Sequence, residues 1–150
     1  MENIIDYIRH TNETFEEKKW NEVDSLVLCQ LVYLKFDGLV PEGNLEGKCR
    51  RNKEKLTIRR IDQSPERERL FRDERYAKDN REFWGALIHS RRFQNVELDY
   101  MVDFVDKDTE TQFAAVTFFL PDGGTYVAFR GTDESIVGWK EDFNLAFSKP

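Results

Sequence analysis

The residues whose types and spacing could do chemistry gather at Arg130-Gly131-Thr132. Just ahead runs Tyr126-Val127-Ala128-Phe129, β-branched and aromatic, preceded by the turn signal Gly123-Gly124, and it reads as a buried strand. Gly131 lets the backbone turn sharply and lets another group approach the main chain. From Asp133 to Phe147 the spacing becomes helical, with Ile136, Trp139, Phe143 and Ala146 on one stripe. A strand that ends in a glycine turn and opens a helix leaves free N–H groups there, a natural place to hold negative charge. Thr132 adds two donors, its backbone N–H and its hydroxyl. The plainer role for that hydroxyl is to cap the helix.

The other candidates for chemistry are weaker. His89 and His10 sit at helix ends, where the dipole favours them, and no Ser or Cys motif accompanies either. Glu97, Asp99 and Asp103 alternate on one strand, which describes a solvated face better than a metal site, and no histidine joins them. No metal or cofactor is expected. Lys48, Arg50, Arg51, Lys53, Lys55, Arg59 and Arg60 oppose a single acid, Glu54, between residues 48 and 60. That run is either an anion patch or a solvated loop. No aromatics are interleaved for base stacking, and the net charge is −6, so nucleic acid is not the expected partner.

The stretch Thr125 to Phe147 resembles the FRGT/FRGS segment of class 3 lipases, a branch of the α/β-hydrolases, through Arg130, Gly131, Thr132, Trp139 and Asp142. With VDSLVLCQLVYL at 23–34, the wider pattern is similar to a group of bacterial lipase-like hydrolases. The resemblance implies an oxyanion-hole donor at Thr132. It also implies substrate contacts from Asp133 and Trp139, the latter on a lid helix facing an ester or lipid. Such enzymes need a Gly-x-Ser-x-Gly elbow followed by an Asp and a His. The chain holds no such elbow, and Ser25, Ser64, Ser90, Ser135 and Ser148 stand in other contexts. The expectation is an N-terminal part of a serine hydrolase, inactive alone. The alternative is a non-catalytic assembly or interaction module of a truncated protein.

The elements that would position these residues follow from patterning. Asn3 to His10 is a short amphipathic helix, and Asn12 to Lys19 is polar and reads as a loop or fraying turn. Asn21 caps a strong helix, with Asp24 completing a capping box. Val23, Leu26, Val27, Leu31 and Leu34 follow helical spacing, and Leu28, Val32 and Tyr33 widen the stripe, so this helix is buried on more than one side. Gly38 and Pro41 end it. Leu56 and Ile58 pin the basic loop to the body. Ser64-Pro65-Glu66 opens a helix running to about Ala77, and a second begins near Asp79.

Residues 96–130 read as a three-stranded antiparallel meander. Leu98, Tyr100, Val102 and Phe104 face one way on the first strand and the acids face water. Phe113 to Leu120 is nearly all apolar and is expected to be buried on both faces. Pro121-Asp122-Gly123-Gly124 turns the chain into the third strand. That strand is apolar enough to want a neighbour on its far side, and strand 125–129 is therefore a candidate for self-association. The fold class is α/β: residues 1–150 form one domain, incomplete by this reading, with helices over 1–95, then the meander and a helix.

At 150 residues with 13% aromatics, the chain can bury a core. Met1-Glu2-Asn3 opens no signal peptide, and no apolar run approaches a membrane span. Cys29 and Cys49 are expected as two reduced thiols in the cytoplasm.

Overall fold

The computed structural model describes residues 3–36, 38–40, 56–106 and 111–130. Among the described residues, four α-helices precede a three-stranded antiparallel sheet: α1 (Ile4–His10), α2 (Glu22–Leu31), α3 (Ile58–Asp62), α4 (Ala77–Ile88), then β1 (Glu97–Asp106), β2 (Thr111–Phe119) and β3 (Thr125–Arg130). The strand order is β1-β2-β3. The protein is mixed α/β, as its patterning indicates.

Both N-terminal helices open on an asparagine with a full capping box. The Asn3 side chain accepts from the N–H groups of Ile5 and Asp6, and Asp6 returns a bond to the Asn3 N–H. Asn21 and Asp24 repeat the arrangement at α2. Such caps satisfy N–H groups that the first turn leaves bare. In α2, Val27, Leu28 and Leu31 are wholly buried, because the helix packs on β3 on one side and on α1 on another. Each buried leucine or valine contributes about 1.5–3 kcal/mol. The helix ends at Leu31, earlier than its apolar stripe. Gly38, at φ 83°, shapes the turn beyond and lies so close to the Arg69 guanidinium that a Cβ would stand 2.8 Å from its Cζ.

The segment after Ser64 departs from expectation. Instead of an α-helix to Ala77 there is a single 3-10 turn, Arg67–Phe71, without a side-chain cap. Its sequence holds only Leu70 and Phe71 as apolar anchors, both buried, so no second turn has a face to bury. Asp73 then accepts from the Arg75 N–H, which starts a new turn. The short helix α3 was not expected either. The chain entering it pairs with the start of β1: the Ile58 N–H donates to Val96 O at 3.0 Å, and the Leu98 N–H donates to Leu56 O at 2.8 Å. Leu56 and Ile58 therefore do pin this segment, and they lie along the outer side of β1.

The β2–β3 connection follows from its residue types. Gly123 N–H donates to Leu120 O at 2.9 Å, and Leu120 N–H to Gly124 O at 2.8 Å. Pro121 sets the first turn position, and Gly123 takes the left-handed conformation, φ 93°. Asp122 accepts from the Gly124 N–H at 2.9 Å.

On β1 the alternation breaks. Asp99 pairs with Thr117 and Val102 with Ala115, so one extra residue bulges between them. A one-residue bulge changes which face each later residue joins. Glu97 and Asp99 share rows with Phe119 and Thr117, whereas Asp103 falls in the opposite row, with Ala114 and Arg130. The expected single face of acids does not form. Nor is it wet at its start: Glu97 and Asp99 are buried, and neither is without a partner.

Candidate interaction site

The helical layer meets the sheet along β3. Its inner residues, Tyr126, Ala128 and Arg130, stand in register with Phe118, Val116 and Ala114. Tyr126 carries the contact with α2. Its hydroxyl lies 3.5 Å from the Cys29 Sγ, and its ring sits 5.2 Å from that of Trp20. Burial pushes the Tyr126 phenol above its ordinary pKa, and the bond to Cys29 pushes the same way, against a smaller lowering by Ser25. Arg130 is buried at the end of the strand, beside Phe36, Met101 and Ala114, around a gap of about 20 Å³.

The outer side of β3 differs from the expected buried strand. Val127 is 45% exposed and Phe129 60% exposed, the large apolar side chains most open to solvent among the described residues. β3 ends the sheet, bordered among those residues by β2 alone. The pairing register makes the cause plain: outward rows place Val127 beside Thr117 and Phe129 beside Ala115, small neighbours that cover little of either side chain.

What holds β3's support in place is a buried cluster that patterning did not reveal. Arg92, fully buried, donates through Nε and Nη2 to the two carboxylate oxygens of Asp24 at 3.0 and 2.6 Å. Nη1 donates to the carbonyls of Glu13, Thr14 and Lys18, and Nη2 to that of Lys19. The Phe15 ring lies 4.1 Å from the guanidinium carbon. Asp24 also accepts from the Tyr7 hydroxyl at 3.0 Å. Burial pulls the Arg92 pKa down, but the bond and charge of Asp24, together with Tyr7 and Glu13, more than offset it, so the net direction is upward. The segment 12–19 is thus no fraying turn. It is a loop wrapped on a guanidinium, and it delivers Phe15 to the core and Trp20 to Tyr126. The only hint in the sequence is Asp24 itself, an acid already accounted for as a cap. Nothing distinguishes Arg92, buried, from its neighbour Arg91, exposed.

The other candidates separate. Thr132, Asp133, Trp139 and the helix 133–147 lie outside the described residues, as do Lys48, Arg50, Arg51, Lys53, Lys55, Cys49 and the loop between β1 and β2. Arg59 and Arg60 are exposed on α3. His89 is the C-cap of α4 and is exposed, and His10 ends α1. Among the described residues no group of three His, Cys, Asp or Glu is placed to hold a metal, and no helix is long and apolar enough to cross a membrane.

Residues 87–150 match the family described as Mbeg1-like. No curated protein and no solved structure matches the chain. The match corrects the resemblance drawn from the FRGT stretch, since the family found over that stretch is not the class 3 lipases. The lipase- or esterase-like serine-hydrolase reading falls with it. The physical reason is that Phe-Arg-Gly-Thr followed by a helical stripe specifies a strand, a turn and a helix start. Those are features of a backbone, and a backbone does not fix a reaction.

Proposed function

We propose that the chain is a self-associating module whose β3 pairs with β3 of a second copy, joining two three-stranded sheets edge to edge. The observation that carries this is the position of β3 at the edge of the sheet formed by the described residues, together with the exposure of Val127 and Phe129. Edge strands are normally blunted by proline, by lysine or by a bulge. Thr125–Arg130 contains no proline or lysine and pairs with β2 without a register shift. Its one charge, Arg130, is buried in the inner row. Antiparallel pairing of a strand with itself is isologous, so one surface supplies both halves of the interface. The pairing would continue the β-ladder and set Val127 and Phe129 of the two copies on a shared outer face. In this reading residues 1–150 act as one unit, with no nucleic acid involved.

Light scattering on the eluting protein tests it. The expected mass is twice the 17.9 kDa of the chain, falling toward the single-chain value on dilution. Val127→Lys, at an exposed position, should give one chain with an unchanged far-ultraviolet spectrum. A concentration-independent mass of 17.9 kDa for the unmodified protein would end the proposal.

A further inference from the structure

A second feature, independent of β3, lies between α1 and α4. Glu82, Gly85, Ala86 and His89 follow at helical spacing and so share one face of α4 and its cap. Two adjacent small residues on that face leave room between the helices. With Arg9 of α1 and Asn12 just after it, these residues line a cleft of about 360 Å³. That volume lies within the range of small-ligand sites, about 300–1,000 Å³. A Cβ at Gly85 would meet nothing within 4 Å, so no described neighbour requires glycine there, although glycine is unfavourable inside a helix.

The lining sets opposite charges side by side. Arg9 Nη2 and Glu82 Oε1 stand 3.6 Å apart, beyond hydrogen-bond reach, and both side chains are half-exposed. An exposed pair of this kind contributes little, so a ligand interrupts it at small cost. By contrast, Arg67, Arg81 and Arg91 each bond a carboxylate directly. Among the described residues, the side chains of Arg9, Glu82, Asn12 and His89 form no hydrogen bond, so all four keep their capacity for one. A simple anion drawn to Arg9 meets Glu82 beside it, and a simple cation meets the reverse. A ligand with a carboxylate and an ammonium on the same carbon satisfies both. Its remaining body lies over Gly85, where Asn12 and His89 offer donors and acceptors to a polar end. We propose that this cleft binds a free α-amino acid with a polar, uncharged side chain, its carboxylate on Arg9 and its ammonium on Glu82.

The test uses free asparagine on the full chain, followed through backbone amide shifts. Saturable shifts at Asn12, Gly85 and His89 are expected, with a dissociation constant of about 1 mM, as befits so small a ligand. Succinamate, which lacks the ammonium, and β-alaninamide, which lacks the carboxylate, should each bind at least ~10-fold more weakly. Arg9→Gln and Glu82→Gln change exposed side chains and should leave the amide spectrum folded. In Arg9→Gln, asparagine should lose its advantage over β-alaninamide, and in Glu82→Gln its advantage over succinamate, which assigns each ligand group to one residue. Gly85→Leu, whose side chain enters open space and favours the helix, should block binding without lowering the melting temperature. Absence of saturable shifts at the cleft, equal binding of either analogue to the parent, or an advantage that survives in the matching variant would each overturn the assignment.

Discussion

Arg92 and Asp24, 68 residues apart, form a two-point ion pair in which both side chains are inaccessible to solvent. An isolated buried pair of this kind contributes little net stability, because desolvation offsets the attraction. This pair is not isolated. Four main-chain carbonyls of the 13–19 segment share the same guanidinium. Its role is to satisfy a loop that has no ladder of its own, and carbonyls drawn partly out of water without donors are costly.

Arg92→Met should therefore destabilise the fold by about 3–5 kcal/mol, the range for stranding one member of a buried pair. The sharper expectation concerns the double variant Arg92→Met with Asp24→Leu. For a simple pair that replacement would restore stability. Here it should remain strongly destabilised, because the carbonyls of Glu13, Lys18 and Lys19 lose the guanidinium, whereas that of Thr14 keeps the Lys18 N–H. Urea unfolding followed by circular dichroism measures both, and a double variant as stable as the parent would refute the clamp.

Two tyrosines should make the fold alkali-sensitive. Burial raises the Tyr7 phenol; the Asn21 bond opposes this and the Asp24 charge reinforces it. Burial and the Cys29 bond raise Tyr126. The folded state thus holds both protons more firmly than the unfolded chain does. Their contribution is complete below the free-tyrosine value of about pH 10 and is lost as pH rises through the higher folded values. Urea midpoints should fall steeply above about pH 10, and Tyr7→Phe should make that fall shallower. An identical slope in the variant would show that Tyr7 takes no part.

Two glycines should respond in opposite directions to alanine. Gly38 has φ 83° with Arg69 pressed against it, so Gly38→Ala should cost at least about 1–2 kcal/mol. Gly85 lies inside α4, and a Cβ there meets nothing within 4 Å. Gly85→Ala should gain about 0.5–1 kcal/mol by restricting the unfolded chain. Thermal melts of the two variants, compared with the parent, read the signs directly.

If β3 pairs with itself, its outward amide protons should exchange with solvent at a rate that depends on protein concentration. Amides of α4 should not show that dependence. Hydrogen exchange at two concentrations separates the cases, and uniform behaviour at both would count against pairing.

Local signals were legible where chemistry and geometry are both local. Asn21 and Asp24 announce a helix start, Pro121-Asp122-Gly123 announces a hairpin, and the three strands lie within two residues of their patterning. The misses share a cause: each depends on a partner distant in the chain. The β1 bulge moves Asp103 away from Glu97 and Asp99, and nothing in alternating acids marks where a bulge falls. Helix α3 exists because Ile58 finds Val96. The Arg92 clamp joins residues whose separate readings, a cap and a surface cation, were both reasonable. At the site, exposure of β3's outer residues was not visible because its composition matches a strand buried on both sides.

The distance along the chain between Asp24 and Arg92 also bears on synthesis. When α1 and α2 leave the ribosome, the cation that neutralises Asp24 and gathers residues 13–19 has not yet been made. At about 5–20 residues per second the wait lasts several seconds. Through that interval the nascent N-terminal segment holds its carboxylate in water, and its apolar stripe, Val27, Leu28 and Leu31, has no sheet to rest on. The N-terminal helices are thus committed late, and a nascent-chain chaperone has its longest opportunity before residue 92 emerges.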